Sequence, residues 1–165
     1  MKRTICLILM MLFAIASGSG VSAQSAGTQS INVSIQPIAE LKVSGGSTSL
    51  SIKEISAGDD PVSVSSTAGY YSISTNQSGK KITGYLQEGN TESGTTLSVT
   101  LQAPGAGGSS IGEVNLTAQP ADLVVGIPAG AHQNCPMTFK FAATVEAGVI
   151  PSSNRTVVLT LTDNS

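Results

Sequence analysis

Along most of this chain an apolar residue takes every second position, and serine, threonine or another polar residue fills the gaps. That is the period of a strand with one buried face. Ile31, Val33 and Ile35 alternate with Asn32 and Ser34, and after Pro37 the pattern resumes at Ile38, Leu41 and Val43. Leu50 and Ile52 alternate with Ser51 and Lys53, Val62 and Val64 follow Pro61, and Tyr71 and Ile73 alternate with Ser72 and Ser74. Further sets run from Ile82 to Leu86, Leu97 to Leu101, Val114 to Leu116, Leu123 to Ile127, Met137 to Phe141, and Arg155 to Asp163. Turn chemistry separates them: Gly45-Gly46, Asp59-Asp60-Pro61, Asn76 to Gly79, Gly89-Asn90 and Pro104 to Gly108. Glycine supplies positive φ at such points, and Asn and Asp bond their own backbone. The pattern predicts an all-β fold, a single immunoglobulin-like sandwich of about 8–10 antiparallel strands. No window carries a capped helical period. The nearest, Ala143 to Ile150, is cut short by Gly148 and Pro151.

The first 23 residues follow a different pattern. Lys2 and Arg3 precede an apolar run from Ile5 to Ala16, which relaxes through Ser17 to Gly20 and closes on Val21-Ser22-Ala23. A charged start, a short apolar stretch and a small-x-small ending make a secretory leader. The run is shorter than the roughly 20 residues a membrane-spanning helix needs. Residues 1–23 are therefore expected to be cleaved after Ala23, leaving a mature domain of residues 24–165 with no membrane span. The expected location is exported: periplasm, cell surface or extracellular.

Removing the leader changes the charge and cysteine accounts. The whole chain has 8 basic and 10 acidic residues; without Lys2 and Arg3 six basic residues face ten acidic ones, a net charge of −4. A sparsely charged, acidic chain excludes nucleic acid as a partner, because phosphate binding needs clustered Lys and Arg. Lys80-Lys81 reads as a turn flank beside Gly79. Of the two cysteines Cys6 leaves with the leader, so Cys135 stands alone and forms no intrachain disulfide. Two readings of it stay open: a small buried apolar residue, or an intermolecular bridge or reactive thiol.

Candidate chemistry is sparse. One histidine, His132, in a Gly- and Ala-rich stretch that reads as an exposed loop, builds neither a triad nor a multi-histidine metal site. No serine sits in a G-x-S-x-G elbow. Asp59-Asp60 reads as a turn before Pro61 rather than a calcium loop. The sequence thus assigns no catalytic, cofactor-binding or metal-ligating residues, and predicts no enzyme. With no Trp and only three Tyr, ring stacking on a sugar falls to Tyr70, Tyr71 and Tyr85, the candidate ligand contacts of a monomeric module that binds a glycan or a surface protein.

The two ends carry more. Residues 24–36 join a polar stretch to Ile31, Val33 and Ile35, which suit either the first strand of the domain's own sheet or a strand that exchanges into a neighbouring copy. The long β-branched run from Arg155 to Asp163 is expected to be paired, since an exposed edge of this kind aggregates.

This ordering resembles small secreted bacterial β-sandwich proteins of the pilin and spore-coat-U type. The resemblance rests on the leader, the alternating N-terminal strand, the loop Glu146-Ala147-Gly148-Val149-Ile150 and the final run Arg155-Thr156-Val157-Val158-Leu159-Thr160-Leu161-Thr162-Asp163. It implies a pilin-like sandwich acting as a non-enzymatic structural or adhesive surface protein, a fimbria-like subunit. The implied partners are copies of itself, other surface subunits or a periplasmic chaperone.

Overall fold

A computed structural model describes residues 29–54, 56–105 and 107–164 of the chain. The expected leader and its cleavage point lie outside the described residues. The described chain divides into a short N-terminal segment ending at Ser34 and a compact unit from Ile35 to Ser165.

The compact unit is an all-antiparallel β-sandwich of nine strands: β1 (Ala39–Ser44), β2 (Val62–Thr75), β3 (Lys80–Leu86), β4 (Thr95–Leu101), β5 (Ser109–Ser110), β6 (Val114–Asn115), β7 (Ala121–Ile127), β8 (Gly130–Ala143) and β9 (Val157–Asp163). One sheet runs β1-β2-β8-β4-β6, the other β5-β7-β3-β9. The core between them is built from alternate residues of each strand, as the period-2 pattern requires. Tyr71 and Ile73 of β2, Val99 and Leu101 of β4, and Met137 of β8 meet Ile82 and Leu86 of β3 and Leu123 and Ile127 of β7. The stretch from Ala143 to Ile150 holds only a single 3-10 turn, Val145–Ala147.

Three expectations change in the folded chain. The runs around Val62 and Tyr71 are one strand, not two. Thr67 pairs with Thr138 and Tyr70 with Pro136, so β2 spends one more residue than β8 at Ala68-Gly69. Gly69 takes φ +89° there. This bulge reverses the parity of the strand, so that even positions (Val62, Val64) face inward before it and odd positions (Tyr71, Ile73) after it. A second irregularity, between the pairs Tyr71–Cys135 and Ile73–His132, turns His132 inward. His132 is therefore a buried residue of β8 and not an exposed loop histidine. Finally, Leu50 and Ile52 lie in no strand, and neither do Ile31, Val33 and Ile35.

Cys135 is buried and free, opposite Tyr71. The Tyr71 hydroxyl donates to the Gln102 carbonyl. The run from Arg155 to Asp163 is paired on one side only, through β9 to β3, and its other side is an edge of the sheet.

Candidate functional site

The sandwich is open along one side, and the cause can be traced residue by residue. β1 pairs with β2 from Ala39–Thr75 to Ser44–Tyr70 and then leaves. The half of β2 from Val62 to Gly69 therefore keeps β8 on one side and, among the described residues, has no strand on the other. In the facing sheet β9 is likewise an edge. β1 and β9 touch across the two layers, so both free edges lie on the same side of the molecule.

Between these edges lies a groove of about 190 Å³. Leu97 of β4 and Met137 and Phe139 of β8 line it, with Ala68 and Gly69 of β2, Arg155 just before β9 and Val157 at its start. Inward-facing residues here are only half-buried: Leu97, Phe139, Val157, Leu159 and Leu161 pack on the core without being closed over.

Polar groups fix the rims. Arg155 Nη2 lies 2.5 Å from Glu92 Oε1, and its Nε is buried without a hydrogen-bond partner among the described residues. The Thr156 N–H donates to Glu88 Oε2 at 2.7 Å. Hydrogen bonding from Thr156 is the main reason that the Glu88 carboxyl sits below its ordinary range.

Where the compact unit begins, Asn76 clamps the backbone. Its Nδ2 donates to the Gln36 carbonyl at 2.9 Å, its Oδ1 accepts from the Ile38 N–H at 2.8 Å, and its own N–H donates to the Ile38 carbonyl at 3.2 Å. N-terminal to this clamp, Ile31, Val33 and Ile35 are 77%, 83% and 81% exposed. Three aliphatic side chains at alternate positions, all in solvent, form an apolar edge with no cover among the described residues.

The tyrosines do not converge. Tyr70 is 47% exposed, whereas Tyr71 is 0% exposed, in the core. Tyr85 is half-buried in the other sheet, on the face opposite to its buried neighbours Gly84 and Leu86. Tyr71 thus touches no external ligand, and the expected three-tyrosine patch does not form. A separate trough of about 450 Å³ lies at the outer face, lined by Glu40, Lys42, Ser72, Ser74, Gln133 and Asn134 among others. Among the described residues no three His, Cys, Asp or Glu side chains gather to hold a metal ion. No helix among them is long and apolar enough to cross a membrane.

The sequence pattern singles out Ile31, Val33 and Ile35 but not the groove. Arg155 and Glu92 are 63 residues apart, and no spacing rule joins them. Comparison with protein-family models, with curated proteins and with solved structures finds no match to this chain.

Proposed function

We propose that this protein is an exported, non-enzymatic structural subunit of the cell surface, fimbria-like, that assembles by strand addition. Residues 30–36 of one copy enter the open side of the next. The observation that carries the reading is complementarity of pattern. Ile31, Val33 and Ile35 recur at i, i+2 and i+4 in solvent. Val157, Leu159 and Leu161 of β9 recur at the same spacing, half-covered, beside a free edge. Residues 30–36, if extended, span about 20 Å, close to the length of the seven-residue β9. Free backbone groups on the edge supply affinity, and pockets for alternate side chains supply register. The alternating edge of β9 has no proline, and its one charge is Asp163 at the end. An edge of this kind is an aggregation site unless something covers it.

The test is light scattering behind size exclusion on Gln24–Ser165 over a range of concentrations. The same is done for a variant carrying Ile31→Asp, Val33→Asp and Ile35→Asp. The unaltered chain is expected to form oligomers that grow with concentration, and the variant to stay a monomer with an unchanged melting temperature. A chain that is monomeric throughout, or oligomers that survive the triple change, would overturn strand addition through residues 30–36. The outer-face trough would then become the leading surface.

A further inference from the structure

The groove is not empty of chain. Residues 45–61 join two strands that are neighbours in one sheet, a connection far longer than such a pair needs. Connections of this length are uncommon in compact domains, where they are usually either functional or linker segments. The first part of the connection crosses the groove. Gly45, Gly46, Ser47, Thr48 and Leu50 line it together with Leu97 and Phe139. Leu50 and Ile52 are half-buried while Ser49, Ser51 and Lys53 are exposed. The alternation is that of a strand, yet no strand forms. Among the described residues no backbone hydrogen bond ties 46–54 to β2, to β9 or to anything else. Leu50 of this segment lines the groove while the segment leaves both edge ladders open.

We propose that residues 46–53 are a displaceable strap. They cap the groove of the free subunit and give way when residues 30–36 of a second copy pair with its edge. This rests on the strand-addition reading above. The buried Nε of Arg155, which lines the same groove, has no hydrogen-bond partner among the described residues. An unmatched buried donor is a cost that a better occupant relieves by bringing a carbonyl. The strap is tethered, so it competes as an intramolecular ligand. It masks the apolar floor until an occupant arrives that also makes backbone hydrogen bonds. Removing its apolar contacts raises the fraction of subunits ready to bind, and the apparent dissociation constant falls in proportion.

The chain has no Trp, so Leu50→Trp places a single reporter on the strap. The probe is a labelled synthetic peptide of residues 29–37. The host is Gln24–Ser165 carrying the three Asp changes at Ile31, Val33 and Ile35, which prevent its own tail from competing. Peptide binding is expected to red-shift the Trp emission as the strap enters water. In a host with Leu50→Ser and Ile52→Ser, the peptide is expected to bind about tenfold more tightly by anisotropy. Binding with an unshifted Trp and no gain from the serine changes would overturn the strap while leaving strand addition intact. No binding to any host would overturn strand addition, and the strap with it. If the serine host does not fold, the Trp shift alone decides.

Discussion

Gly45 and Gly69 meet backbone to backbone where β1 parts from β2. A Cβ on Gly69 would stand 2.7 Å from the Ser44 carbonyl oxygen, and one on Gly45 would overlap the Gly69 Cα. Their φ angles are +106° and +89°. The parting opens the groove, so these two residues shape the site without presenting any side chain to it. Gly69→Ala is expected to cost about 2–4 kcal/mol, combining the penalty of a left-handed backbone with a clash against backbone that cannot swing away. Urea unfolding measures it; a loss below about 0.5 kcal/mol would mean that the strands part for another reason.

Tyr71 carries an alkaline prediction. Burial, with the Cys135 thiol beside it as a smaller cause, pushes ionisation of its hydroxyl well above the ordinary tyrosine range. The folded state thus holds this proton more tightly than the unfolded chain does. The contribution is complete below about pH 10 and is lost as pH rises beyond it. Tyr71→Phe is expected to lower stability by about 1 kcal/mol near neutrality, through the lost bond to Gln102. It should also flatten the decline above about pH 10. Parallel stability curves for the two proteins at high pH would contradict this account.

At the acid end the sign reverses. Lys140 foremost, then Ser98, holds the Glu113 carboxyl below its ordinary range. Lys140 Nζ donates to it at 3.0 Å and Ser98 Oγ at 2.9 Å. Glu88 is lowered by Thr156. A lowered folded value means a contribution present above about pH 4.3 and lost as pH falls through that value and below. Both carboxylates are exposed to solvent, so the effect is small and weakened by salt. In urea titrations at pH 7 and pH 3, the pair Glu88→Gln and Glu113→Gln should narrow the gap between the two midpoints. An unchanged gap would show that these carboxylates are not what acid attacks.

Cys135 tests the packing directly. Buried at 7% exposure, in the Gln24–Ser165 protein it is expected to resist a thiol reagent in native buffer and to react once per molecule in denaturant. Its native rate should track the fraction of molecules transiently open. Prompt labelling of the folded protein, or a dimer on a non-reducing gel, would return it to the reactive or bridging role that the sequence left open.

Much of the fold was legible because its signal is local. Alternation at Leu97 to Leu101, Met137 to Phe141 and Val157 to Leu161 names strands β4, β8 and β9 and their inward faces. Where the reading failed, one backbone irregularity was enough. The bulge at Ala68-Gly69 makes two strands look separate, and the irregularity near Asn134 turns His132 from loop to core. Leu50 and Ile52 fail for a different reason. Their pattern is that of a strand, but β1 leaves its partner at Gly45, so no edge pairs with them.

By itself the sequence determined the sandwich class and the alternating segment at Ile31, Val33 and Ile35. Both follow from residue type and a period of two along the chain. Only the tertiary structure decided which edges stay unpaired, that Arg155 and Glu92 meet at the groove, and that His132 is core rather than loop. Those outcomes depend on which strand finishes beside which, a long-range matter that a period of two along the chain does not encode; the close approach of Gly45 and Gly69 marks where β1 parts from β2.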